Sequence, residues 1–242
     1  GSARVPLLLI AGGAGVVVGV MNVTGLGQSL SFLLVQAGSA WGLLPMLLLT
    51  AVLSIVLGMG MPTTAIYVVL ASVIAPALIQ MGVTQMGAHL FIFYMGMLSM
   101  ITPPVCFASF TAASIAQASF WRTAFSGMRF GIVAYILPFV FPFSLGLIMQ
   151  GGVGDVLLSV GTAILGVFGL SWGLTGYLFR PLAWPQRIVL LACGIAIMPS
   201  PVNGLTTLLF NIGAFVIGAA IIAYEWHASR RSETGVPVVA QS

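Results

Sequence analysis

Long apolar stretches, interrupted by short clusters of Gly, Pro, Ser and Thr, run through almost the whole chain. With about 20 residues needed for a helix to span a bilayer, apolar runs are read at 5–23, 41–57, 63–79, 88–101, 105–120, 125–149, 153–179, 188–198 and 205–224. Several are too short to cross alone. The run at 26–37 is interrupted by Gln28, Ser29, Ser31 and Gln36, which predicts a helix lying at the interface. Two interruptions carry a stronger signal. Gly58-Met59-Gly60-Met61-Pro62-Thr63-Thr64 joins two half-length runs, and Ser99-Met100-Ile101-Thr102-Pro103-Pro104 joins two more. Glycine permits non-helical backbone, Pro62 suits the first position of a new helix, and prolines 103 and 104 lack the donor a continuing helix needs. The pattern therefore predicts a break at each cluster: the tip of a hairpin at 41–80, re-entrant or crossing twice, and a discontinuity in the helix at 86–120.

Composition agrees with membrane residence. Of 242 residues, 60% are hydrophobic and 4% charged, with mean hydropathy +1.18, against roughly 25% charged in a soluble domain. Residues 5–121 contain no Asp, Glu, Lys or Arg, so no carboxylate or lysine chemistry can be housed there. The net charge of +4 comes from seven Arg and no Lys; in such a chain it speaks of topology, not of nucleic acid. Cys106 and Cys193, far apart in apolar stretches, read as buried small hydrophobes more readily than as a disulfide or metal site. Residue 1 is Gly and Arg4 precedes an apolar run too long for a signal-peptide core, which suggests a piece of a longer chain.

Arginine placement tests which runs cross. Clusters fall at Arg4, at Arg122 and Arg129, at Arg180 and Arg187, and at Arg230 and Arg231. If all are cytoplasmic, an even number of crossings separates each from the next. Two crossings fit between Arg129 and Arg180 and two between Arg187 and Arg230, with Asp155 and the turn at 199–204 on the far side. Between Arg4 and Arg122 the first run crosses once and the 41–79 pair contributes two crossings or none. The 88–120 region must then cross an odd number of times, most simply once, as two half-helices. The expected organisation is a scaffold span and interfacial helix at 1–40, the hairpin and discontinuous helix at 41–121, a further span at 122–150, extra helices at 151–229 and a polar tail at 230–242.

Irregular backbone at membrane depth is tolerated only inside protein or beside a water-filled cavity, and paired broken segments point to a transporter's binding site. Carbonyls at the ends of the first half-helices, with the hydroxyls of Ser99 and Thr102, are hard oxygen ligands at negative dipole ends, for which sodium is the natural guest. The amide ends of the second half-helices favour a carboxylate. Each break is equally readable as a kink packed against its neighbours.

These residues also carry a family resemblance. The stretch from Val16-Val17-Val18-Gly19-Val20 through Thr24-Gly25-Leu26-Gly27, then the 58–65 motif, then Thr102-Pro103-Pro104-Val105, resembles the second half of the large membrane subunit of TRAP transporters, the tripartite ATP-independent periplasmic carriers. The resemblance covers roughly residues 5–150. Beyond it, Gly176-Tyr177 and Pro181-Leu182-Ala183-Trp184 look like the C-terminal helices of fused permeases, whose periplasmic partner is usually of the TAXI type.

The resemblance implies an all-α polytopic membrane protein with an elevator-type fold of the ion-transporter superfamily, here one inverted-repeat half plus C-terminal helices. It implies residence in the bacterial or archaeal cytoplasmic membrane, and uptake of an organic anion driven by a sodium gradient, with no cofactor beyond that coupling ion. The implied partners are a periplasmic solute-binding protein and a small membrane subunit or its fused equivalent upstream. By motif, the sodium role falls on Gly58 and Met59 through the backbone, on Ser99 and Thr102, and on the Val105 carbonyl. Pro62, Thr63, Thr64 and Pro103 fall near the substrate. Two positions depart from the family pattern, which often has glycine where Ser99 and Cys106 stand. No second copy of either break occurs in 150–242, so a matching half would lie upstream and this chain would not transport alone.

Other residues leave two readings open. His89 is a proton-sensing ring or an interfacial one without an acidic partner. Ser109, Thr111, Ser114, Gln117 and Ser119 line a path or pack helices closely. Arg122 and Arg129 read as topology anchors, Trp121, Trp184 and Trp226 as interfacial belt residues, and Asp155 as part of a solvated turn. The rival functions are a sodium/dicarboxylate carrier without a binding protein and a non-transporting assembly subunit. An intramembrane enzyme is disfavoured, since no zinc motif, paired aspartate or Ser/His or Cys/His constellation appears.

Overall fold

The computed structural model describes residues 12, 13, 15–17, 19–21, 23–179, 181–199 and 205–233. The start of the first run, Arg4, Arg180, most of the 199–204 turn and residues 234–242 lie outside these. The chain divides into two compact units, residues 1–142 and 143–242.

The first unit is built from short helices. These are α1 (Leu26–Trp41), α2 (Leu43–Gly58), α3 (Thr63–Val73), α4 (Ala75–Gln80), α5 (Gln85–Leu98), α6 (Phe107–Ile115), α7 (Phe120–Phe130) and α8 (Ile132–Ile136), which passes into a 3-10 segment, Leu137–Phe143. At 1.5 Å rise per residue, α2 is about 24 Å long and α5 about 21 Å, both short of the roughly 30 Å hydrocarbon thickness. Neither is a complete span. Gly42 (φ +90) turns the chain from α1 into α2, and Gly82 (φ +88) turns it from α4 towards α5, a conformation that side chains resist. Thr84 then caps α5, its hydroxyl oxygen accepting from the Gly87 amide.

α5 lies at the centre of this unit, with α2, α3 and α4 packed on it. Its Phe91, Ile92 and Met95 are buried with Met46 and Leu47 of α2, Ile66 and Leu70 of α3, Leu78 of α4 and Leu34 of α1. Gly96 permits the closest approach: a Cβ there would stand 2.6 Å from Ile66 Cγ2 and 2.9 Å from Leu70 Cδ1. Where α3 stops, the Ser31 hydroxyl of α1 donates to the Val73 carbonyl, satisfying a group that the break would otherwise strand.

One expected span differs. The run at 125–149 is not a straight span, because α7 ends at Gly131 and meets the 132–143 segment at 61°. Pro138 and Pro142 deny that segment two backbone donors, consistent with its tighter winding.

The second unit contains α9 (Val153–Thr175), α10 (Trp184–Ile197) and α11 (Leu205–Glu233). Two helices, Val153–Thr175 and Thr207–His227, are long and apolar enough to cross a membrane among the described residues, or up to four spans if each bent pair counts as one. α9 and α10 pack through glycine: a Cβ on Gly194 would sit 2.8 Å from the Leu170 amide nitrogen, and one on Gly166 would sit 2.6 Å from Met198 Cγ. Asp155 is in the first turn of α9 rather than in the preceding turn, and its carboxylate accepts from the Gly152 amide. Arg187 donates to the carbonyls of Gly173 and Leu174 at the other end of α9, with its guanidinium 5.2 Å from the Trp184 ring centroid. Gln186 donates to buried Glu225 at 2.6 Å. α11 continues through Glu233, so residues 230–233 of the expected tail are helical.

The packing at Gly96 gives a direct prediction. Gly96→Ala should destabilise the protein by about 1–3 kcal/mol through overpacking, read as a lowered unfolding temperature in detergent. Adding Ile66→Ala should return part of the loss. A second substitution tests one of two buried hydroxyls of α2, those of Thr50 and Ser54, which have no hydrogen-bond partner among the described residues. Thr50→Val removes an unmet polar group while keeping its volume, so it should be neutral or stabilising by about 1 kcal/mol; clear destabilisation would show that the hydroxyl is engaged.

Candidate functional site

The first break follows from two glycines used in opposite ways. Gly58, the last residue of α2, is glycine because there is no room for a side chain: a Cβ would meet Ser99 Oγ at 2.8 Å and the Gly96 carbonyl oxygen at 3.1 Å. Gly60 has open space around it but φ +80, so its backbone conformation calls for glycine. Met59 between them is extended, at φ −64 and ψ 125. Pro62 is also extended and precedes α3, so it stands one residue earlier than the first helical position expected of it. No side chain caps α3, leaving first-turn amides, among them those of Thr63 and Thr64, at the positive end of the helix.

The second break begins where α5 tightens. The amides of Ser99, Met100 and Ile101 donate three residues back, to Gly96, Met97 and Leu98. The chain then passes through Thr102, a cis Pro103–Pro104 peptide and Val105 before α6 begins. The Ala108 amide closes the loop on the Met100 carbonyl at 3.0 Å. Cys106, fully buried, has φ +27, a left-handed conformation in which a side chain is strained. This is one of the two positions where the resemblance led one to look for glycine.

Hydroxyl orientation is fixed on both key residues. Ser99 donates its one proton to the Gly96 carbonyl at 2.6 Å, and Thr102 donates its own to the Leu98 carbonyl at 2.6 Å. Their oxygens are therefore turned into acceptors. Thr102 Oγ1 also lies 2.6 Å from the Tyr135 hydroxyl of α8. With the threonine proton already committed, the tyrosine must be the donor, and one lone pair of Thr102 remains.

Gly58, Gly60, Met61, Pro62, Ser99, Met100, Val105 and Phe107 line one cavity of about 170 Å³ between the two breaks. Of the site residues expected from sequence, Gly58, Pro62, Ser99 and Val105 are thus brought together. Met59, Thr102 and Pro103 lie in the two loops and Thr63 and Thr64 open α3, but none of the five lines the cavity. Among the described residues, no three His, Cys, Asp or Glu side chains converge, so a cation held in this cavity would be held by hydroxyl and carbonyl oxygens. A larger cavity of about 580 Å³ between α10 and α11 has an almost wholly apolar lining that includes Ala192, Cys193, Ala196 and Gly213; it offers no comparable chemistry.

Sequence reading passed over Tyr135, which sits 33 residues from Thr102 inside a run read as a plain span. It also passed over Thr50 and Ser54, whose spacing of four towards Gly58 was a usable signal. His89, expected to lack an acidic partner, has its Nδ1 3.0 Å from the Tyr67 hydroxyl.

The family model described as "Tripartite ATP-independent periplasmic transporter, DctM component" matches residues 2–155, a range that contains both breaks and the whole first unit beyond its first residue. No curated protein and no solved structure matches the chain. With all-α architecture, membrane-length helices and this match over more than half its length, the chain belongs to the DctM family and is a membrane permease component of a TRAP transporter.

Proposed function

We propose that this permease couples uptake of an organic carboxylate to a sodium gradient, receives its substrate from a periplasmic binding protein of the TAXI type, and works with a small membrane subunit or its fused equivalent in the cytoplasmic membrane. The coupling ion sits between the two breaks. Gly58 and Val105 contribute backbone oxygens and Ser99 a hydroxyl from the cavity lining, joined by the Met59 carbonyl and the Thr102 hydroxyl from loop positions beside it. Pro62, Thr63, Thr64 and Pro103 face the substrate, whose carboxylate is drawn to the uncapped amides at the start of α3. The unit holding both breaks moves as the elevator.

One observation carries this reading: Ser99 Oγ, its proton spent on Gly96, stands at the closest approach of the hairpin tip, in a cavity that reaches both loops. An acceptor-only oxygen in a region without carboxylates is suited to a hard monovalent cation.

Uptake by the permease reconstituted in liposomes with its binding protein and small subunit tests the coupling. Imposing an inward sodium gradient should drive accumulation that potassium does not support, and equal uptake under both would end the proposal. Thr102→Val should weaken apparent sodium affinity about tenfold or more, at little cost in assembly. Normal sodium dependence in that variant would remove Thr102 from the site. Tyr135→Phe should lower stability by about 1 kcal/mol, and in a double-mutant cycle with Thr102→Val the two losses should be clearly non-additive. If both variants instead impair assembly while surviving protein transports normally, the breaks serve packing alone.

A further inference from the structure

α7 is the most amphipathic helix of the first unit, and its three sides face three different environments. Ala124 is fully buried, and a Cβ on Gly127 would stand 3.3 Å from Ser109 Oγ of α6, so this side packs on α6. Arg122, Ser126 and Arg129, spaced i, i+4 and i+7, form an exposed polar stripe on the opposite side. Between the two lie Trp121 and Phe125, 54% and 60% exposed, with stacked rings whose centroids are 6.2 Å apart. The helix meets the following segment at 61° and so does not continue it as a straight span.

Charge narrows what would meet this surface. Residues 1–154 contain no Asp or Glu, and neither guanidinium has a hydrogen-bond or ion-pair partner among the described residues. Two unpaired cations beside an exposed aromatic stripe match a bilayer interface, where phosphates accept from guanidinium and amphipathic rings settle at headgroup depth. A free anion in water would account for the arginines and leave the aromatic stripe unexplained. Seven residues of helix separate the two arginines by about 10 Å along the axis, which suits two headgroups side by side.

We propose that α7 lies in the plane of the membrane interface and binds anionic phospholipid, with Arg122 and Arg129 on the headgroup phosphates and Trp121 and Phe125 set into the acyl boundary. Because α7 packs on α6, the lipid contact steadies the helix that leads away from the second break.

Two measurements on the full chain in phosphatidylcholine vesicles, with or without phosphatidylglycerol, decide this. In a variant keeping Trp121 and replacing Trp41, Trp172, Trp184 and Trp226 by Phe, fluorescence should be quenched by lipids brominated close to the headgroup and little by aqueous iodide. In native mass spectrometry, Arg122→Gln and Arg129→Gln should each reduce retained phosphatidylglycerol about fivefold, with phosphatidylcholine unaffected. Quenching of Trp121 by iodide, or by neither agent as expected beneath a protein partner, would overturn the proposal. So would unchanged phosphatidylglycerol retention in the double variant.

Discussion

A helix that stops at membrane depth strands carbonyls and amides that water cannot reach, at several kcal/mol for each one left unmet. In residues 1–154 there is no Asp or Glu to help. The first unit therefore resolves its broken ends with neutral groups. Ser31 reaches the end of α3, Ser99 and Thr102 fold back on the end of α5, and the Ala108 amide closes the second loop. These internal bonds also dictate where oxygen lone pairs are left over. Structural satisfaction and candidate ion chemistry thus come from the same few hydroxyls.

Close approach is the second requirement, and glycine supplies it. Gly58 lets the hairpin tip touch Ser99, and Gly96, one turn earlier on α5, lets α3 lie against it. Both arms of the hairpin consequently meet one central helix near its broken end. The cavity between the loops depends on these two contacts, so packing in the core and geometry at the site are not separable.

Both breaks were legible in the sequence because Gly, Pro and Thr act locally: each changes the backbone where it stands. The all-α membrane architecture was legible from apolar run lengths alone. Tyr135 was not, since its partner is set by how α8 returns to the second break, and nothing in an apolar run marks one tyrosine as inward-facing. The bend after α7 was overlooked for a related reason. Apolar composition extends unbroken across it, although Gly131, Pro138 and Pro142 were visible and Arg122 and Arg129 marked an amphipathic stretch. Arg122 and Arg129, seven residues apart, share one face of the helix.

The central claim is that neutral oxygens between the two breaks form a sodium site, and thermal unfolding of the purified chain in detergent tests it most directly. Titrating sodium chloride against potassium chloride at equal ionic strength separates specific binding from screening. A ligand that binds only the folded state raises stability as RT ln(1 + [L]/Kd). The unfolding temperature should rise progressively with sodium and stay flat with potassium; identical curves for the two salts would contradict the account.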